Sequence, residues 1–151
     1  MTSSGARRVA VPDGWARRAD GDYAAAFEIP IGERRFLTPE QWARATFEGA
    51  PSLLRLLLTF GWRFVLGLRL GPEGSPLSIA GWRIESSAAD ALTLQADSPL
   101  LRAHNTVRVS DSAVVVITDV HFERRAGRVL WAAVAPIHHR VMPFLLTHAR
   151  G

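Results

Sequence analysis

Residues 101–122 read LRAHNTVRVSDSAVVVITDVHF. Ala103, Val107 and Val109 recur at every second position before Ser110-Asp111-Ser112, and Val114, Val116, Val120 and Phe122 do so after it. Period-two alternation on both sides of a polar turn marks two half-buried strands of a hairpin. Centring the turn on Asp111-Ser112 sets Val107 opposite Val116, Asn105 opposite Thr118 and His104 opposite Asp119.

The alternation continues outward. Upstream, a turn at Ser87 to Ala89 sets Ile84 opposite Leu92 and Trp82 opposite Leu94. Downstream, a turn at Arg125-Ala126 sets Phe122 opposite Val129 and Val120 opposite Trp131. One choice of parity then collects Trp82, Ile84, Leu94, Ala96, Val107, Val116, Phe122 and Trp131 on one apolar face. Arg83, Glu85, Gln95, His104, Arg108, Asp119, His121 and Glu123 fall on the other. Agreement across successive hairpins supports five strands between residues 79 and 136.

A further strand is expected over residues 23–31, where Tyr23, Ala25, Phe27, Ile29 and Ile31 alternate with Ala24, Ala26 and Glu28. Pro30 places its end or an edge there. Thr38-Pro39-Glu40-Gln41 has the form of a capping box with proline at the first helical position. That helix stops near Gly49, and Pro51 opens another. Leu53, Leu56, Leu57, Phe60, Phe64 and Leu68 form a wide apolar face on it, opposite a narrow stripe of Arg55, Thr59 and Arg63. The expected fold class is α+β, a curved six-stranded antiparallel sheet gripping helices in the order β-α-α-β-β-β-β-β-α. Residues 1–21, with paired arginines and small residues, are expected to form a mobile arm before a single domain over 22–151.

Composition narrows the functional classes. The 151 residues suit one domain, and 48% hydrophobic with 21% charged residues is ordinary for a globular chain. Cysteine is absent, which removes disulfide and thiolate chemistry. All eighteen basic residues are arginine. They are interspersed with acids and accompany no nucleic-acid-binding motif, so nucleic acid is not an expected partner. Arg55 and Arg63 interrupt the apolar run from Pro51 to Leu70, which argues against a membrane span there. The first twenty residues lack an apolar signal core, so a cytoplasmic location is the default expectation.

Three short motifs carry a resemblance: Gly81-Trp82-Arg83-Ile84, Gly127-Arg128-Val129-Leu130-Trp131 and Pro136-Ile137-His138. With the element order, they resemble the helix-grip superfamily of START-like, birch-pollen-allergen-like and polyketide cyclase-like proteins (the SRPBCC group), over about residues 22–149. In that bacterial branch a Gly-Arg-x-x-Trp strand runs into a Pro-x-His helix start. The resemblance implies a cavity for an apolar small molecule, with catalysis in a minority of branches, and transfers no catalytic residue. Such proteins end in a long roofing helix. Here only a short helix is expected after Pro136, so the roof is expected to be short or completed by a second chain.

The candidate ligand-binding residues are Trp82, Leu94, Asn105, Val107, Val116, Thr118, Phe122, Trp131 and His138. Asn105 and Thr118 are polar on the apolar face, where they either satisfy each other or orient a ligand. His138 and His139 adjoin the expected cavity mouth, and adjacent histidines cannot both point at one metal without strain. No metal or other cofactor is expected. His104 and Asp119 have the chemistry of a base and its orienting carboxylate, but the register puts them outward, as a surface ion pair. The expected function is non-covalent binding of a hydrophobic small molecule such as a lipid or polyketide. The alternatives are a cyclase- or hydrolase-like enzyme in the same pocket, or a membrane-surface or homodimer module built on the 51–70 helix, with membrane contact the less favoured.

Overall fold

The computed structural model describes residues 5–12, 23–32, 37–72 and 75–150. Seven strands form one open antiparallel sheet: β1 (Arg7–Val9), β2 (Tyr23–Pro30), β3 (Ser78–Ile79), β4 (Trp82–Ser87), β5 (Ala91–Asp97), β6 (Leu101–Val109) and β7 (Ala113–Phe122). Their spatial order is β1-β2-β7-β6-β5-β4-β3. Three helices, α1 (Pro39–Phe47), α2 (Ser52–Phe60) and α3 (Arg125–Arg150), complete the α+β domain. The sheet thus has seven strands where six were expected. Two strands are added: β1, which pairs Arg8 with Phe27 inside the segment expected to be an arm, and the short β3 before β4. The strand expected after Arg125-Ala126 is lost to α3. Residues 1–4 and 13–21 of that expected arm lie outside the described residues.

The central hairpin has the expected register, with Val107 opposite Val116, Asn105 opposite Thr118 and His104 opposite Asp119. The β4–β5 hairpin does not: Ile84 pairs with Leu94, and a bulge between Ile84 and Ser86 brings Ser87 opposite Leu92. The turn lies at Ala89-Asp90 rather than at Ser87 to Ala89, closed by Ala88 N–H to the Ala91 carbonyl at 2.7 Å. The register therefore differs from the turn onward, and the bulge changes it by one further residue. Before β4, Ala80 and Gly81 both have positive φ, as two-residue hairpin turns favour. A Cβ at Gly81 would lie 2.9 Å from the Leu70 side chain.

The largest correction is at the C-terminal end. Residues 129–133 are not a strand. They belong to α3, a helix of 26 residues that begins at Arg125 and runs through Pro136 and Pro143. The expected pairs Phe122–Val129 and Val120–Trp131 are absent, and Phe122 pairs with Leu101. Val129, Trp131 and Ala133 fit period two, but Gly127, Trp131, His138, Met142, Leu145 and Ala149 fit a helical stripe. The longer pattern wins, because a helix this long buries that stripe against the sheet. The expected roof, either short or completed by a second chain, is therefore corrected as well: the chain supplies a long helix of its own.

The core lies between the sheet's inner face and helices α1 and α3. The α1 start is a full capping box, Gln41 N–H to Thr38 Oγ1 at 3.1 Å and Thr38 N–H to Gln41 Oε1 at 2.8 Å. This fixes Trp42 in a completely buried position. Helix α3 packs on α1, β1, β2 and β7. Helix α2 differs in kind. It passes into a π-helical turn, Gly61–Val65, and neither segment has a single buried residue.

Gly127 seats the first turn of α3, where an added Cβ would come 2.4 Å from the Leu100 carbonyl oxygen. Gly127→Ala is expected to lower unfolding stability by about 1–3 kcal/mol through overpacking, measured by urea denaturation. A stability equal to the parent's would show that α3 is free to shift.

Candidate ligand-binding site

A cavity of about 340 Å³ opens between α3, the sheet and the α2–π segment. The sheet contributes Trp82, Ala103, Asn105 and Thr118, and α3 contributes Trp131, Val134, Ile137, His138, Val141, Met142 and Leu145. Its remaining wall is the stretch from Leu57 to Leu68. Five of the nine residues expected in the site meet here: Trp82, Asn105, Thr118, Trp131 and His138. Leu94, Val107 and Val116 are fully buried in the packed core instead. Phe122 lies at the end of β7 with the Arg128 guanidinium 4.8 Å from its ring centroid. None of these four lines the cavity. Trp131 and His138 arrive by a different route than expected, from one face of one helix, seven residues apart.

The wall formed by Leu57, Phe60, Trp62 and Val65 was not foreseen as a lining. A helix wheel identifies an apolar face but not which neighbour covers it. The π turn was equally hidden, though Gly61 within an apolar helix was a signal for it.

The polar groups form a chain. Thr118 donates its hydroxyl hydrogen to Asn105 Oδ1 at 2.5 Å. Its oxygen lies 3.1 Å from His138 Nε2. Because the threonine has only one hydrogen to give, the imidazole must donate through Nε2–H, which fixes the tautomer. His138 Nδ1 is then a bare acceptor, and it is buried with no partner in the protein. Burial, followed by the neighbouring His139 and Arg8, lowers the His138 pKa to about 3. The ring is neutral throughout the physiological range.

Two more cavity residues have the complementary deficiency. The indole N–H groups of Trp82 and Trp131 are buried and make no hydrogen bond in the protein. Orphaned buried polar atoms are uncommon in native folds, and each costs about 1–3 kcal/mol. Two donors and one acceptor are therefore carried by side chains that line a single, mostly apolar space. All three atoms are closed to solvent, so a ligand group reaches them only if the rings turn slightly.

On the far side of α3's double histidine, His139 Nε2 lies 2.6 Å from the Tyr23 hydroxyl. Burial raises the Tyr23 pKa, partly offset by Arg8. Desolvation and Arg8 lower that of His139. The two histidines thus face different partners, and no cluster able to hold a metal occurs among the described residues.

On the opposite face of the sheet, His104 Nδ1 is 3.2 Å from Asp119 Oδ1 and its Nε2 is 3.4 Å from Glu85 Oε2. The outward direction is as expected, but a surface ion pair is not what forms: His104 is 7% and Asp119 2% exposed. The groove there, lined also by Arg83, Gln95, Asp97, Arg102 and His121, is polar and distinct from the apolar cavity.

A family model described as a protein of unknown function (DUF2867) matches residues 15–145. The chain belongs to this family. No curated protein and no solved structure matches it. The matched span of the DUF2867 domain contains every residue of the cavity. Among its described residues α3 is the one helix long and apolar enough, by length and composition, to cross a membrane. In the fold of this DUF2867 domain α3 buries Trp131, Met142, Leu145 and Leu146.

The low His138 pKa has a stability consequence. Between about pH 6.5 and pH 3 the unfolded chain binds a proton at this position that the folded chain refuses, so stability falls as pH falls. The slope from this residue approaches about 1.4 kcal/mol per pH unit. His138→Ala is expected to flatten the stability profile below pH 6.5, measured by denaturant melts at successive pH values. An unchanged slope would place the titration elsewhere.

Proposed function

We propose that this DUF2867 domain binds a hydrophobic small molecule carrying a hydroxyl group, non-covalently, in the cavity between sheet, α3 and the α2–π segment. The observation that carries this reading is the set of unpartnered atoms, His138 Nδ1, Trp82 Nε1 and Trp131 Nε1, on side chains that line a largely apolar cavity. A hydroxyl both donates and accepts, so one group can answer the imidazole and an indole together. The volume of about 340 Å³ lies at the small end of the ~300–1,000 Å³ usual for ligand pockets, which favours a compact aromatic or single-chain molecule. The resemblance to the helix-grip superfamily points in the same direction.

An enzymatic role for the same pocket finds less support. A general base works best with a pKa near the working pH. An imidazole held at about 3 is a weak base and a good hydrogen-bond anchor. The Asn105–Thr118–His138 chain holds that ring in one orientation, as a binding site requires.

Tryptophan fluorescence tests this, since Trp82 and Trp131 both wall the cavity. Naphthol is expected to quench and to bind about tenfold or more tighter than naphthalene, the worth of one good hydrogen bond to a buried group. His138→Ala should erase that preference. Ala103→Leu, which pushes a side chain into the cavity, should abolish binding of both while the fold persists. Absence of naphthol binding by the folded parent protein would overturn the proposal.

A further inference from the structure

The segment from Ser52 to Val65 puts its apolar side outward. Leu53 is 70%, Leu56 69%, Leu57 60%, Phe60 58% and Phe64 73% exposed. These positions share one helical stripe, and Phe60 and Phe64 touch, with ring centroids 5.2 Å apart. A contiguous stripe of large apolar side chains marks an interaction surface, unlike scattered single exposures. Leu57, Phe60 and Val65 also line the cavity, so the stripe continues into its mouth. Ile137 of α3, itself exposed, adjoins it from the other side.

Charge identifies the occupant. Residues 51–71 contain Arg55, Arg63 and Arg69 and no carboxylate, and α3 contains four arginines and no carboxylate. Arg55 and Arg63 are exposed, on one flank of the stripe. All fourteen acidic residues of the chain lie outside these two elements. A second copy using the same patch would set the arginine flanks of both chains together, with no acid in either segment to pair them. The adjoining Glu48 is already engaged by Arg44 and the Ala80 N–H. An apolar stripe with Arg55 and Arg63 on its flank, where the neighbouring carboxylate of Glu48 is paired with Arg44, fits an anionic lipid surface. At ~1.5 Å rise per residue the segment is about 20 Å long, too short to span a bilayer and suited to lying in its plane.

We infer that Ser52–Val65 docks in the plane of an anionic bilayer and holds the cavity mouth against the acyl chains. Ligand then exchanges between membrane and cavity without crossing water. The exchange, though not the docking, rests on the reading of the cavity as a ligand site.

Co-sedimentation with vesicles tests the docking. One set is phosphatidylcholine alone, and the other contains about one third phosphatidylglycerol. The parent chain is expected to partition onto the anionic vesicles, weakly onto the neutral ones, and less onto either in high salt. Leu53 and Phe64 are exposed and lie off the cavity lining, so Leu53→Ser with Phe64→Ser should keep the melting temperature and naphthol binding. That pair should lower partitioning by about tenfold or more, since apolar insertion supplies the binding. Ala103→Leu should bind vesicles like the parent; the docking therefore stands or falls separately from the cavity. Indifference to anionic vesicles would overturn the inference. So would a micromolar dimer in sedimentation velocity that the double serine variant converts to monomer, because the face would then belong to a second copy.

Discussion

The seating of α3 against the sheet is the contact on which the rest of this structure depends. The inner sheet face is apolar from β2 to β5, and without cover it would leave Phe27, Ile29, Leu94, Val107 and Val116 in water. Each such side chain contributes about 1.5–3 kcal/mol when buried. Helix α3 covers β2 and β7 while α1 covers β5 and β6, and α3 is held there from two anchored ends. At one end Gly127 permits a close approach to Leu100. At the other Met142, Leu145, Leu146 and Ala149 are buried. Between those anchors the middle turns are only partly covered, and Val134, Ile137, His138 and Val141 line the cavity there. Pro136 and Pro143 fall in or beside that stretch, and each removes a backbone donor from the helix.

The central hairpin was fully legible from residues 101–122, because a buried face makes a one-residue slip expensive and so determines the register. The α1 capping box was legible for a similar reason, as few other conformations satisfy Thr38 and Gln41 at once. The β4–β5 register was not, since several small and polar residues from Ser86 to Asp90 could each hold the turn. It falls at Ala89-Asp90, with a bulge beyond it that leaves no mark in a period-two pattern. The start of α3 was misread because Val129, Trp131 and Ala133 satisfy period two although only Trp131 lies on the buried helical stripe, and Pro136 looked like a helix beginning. Prolines inside a helix are costly enough to be read as boundaries. Here the burial of the residues beyond Pro136 outweighs that cost.

The candidate site was legible to the extent that chemistry, more than packing, singled out its members. Asn105 and Thr118 stood out as polar residues on an apolar face, and they do form the base of the polar chain. His138 stood out as a histidine beside the mouth, and it joins that chain. Leu94, Val107 and Val116 could not be distinguished from core by type, and core is where they are. The apolar face of α2 was legible, but whether it is covered or exposed was not, which is why an interface on the 51–70 helix stood only as an alternative. Leu53 and Phe64 look like core residues in sequence, and only the position of the helix at the rim shows that they are not.

The π turn at Gly61–Val65 has a consequence for how this surface can change. Within an α-helix each residue advances the side-chain direction by about 100°, and a π turn amounts to one inserted residue. The stripe from Leu53 to Phe60 and the buried pair Leu66 and Leu68 lie on opposite sides of that insertion. Their relative bearing is therefore a matter of phase. Deleting Gly61 would swing one about a quarter-turn past the other, so that Leu66 and Leu68 could remain inside only if the leucines of α2 faced elsewhere. A single residue count, with no change in composition, keeps the outward stripe and the inner anchor in step.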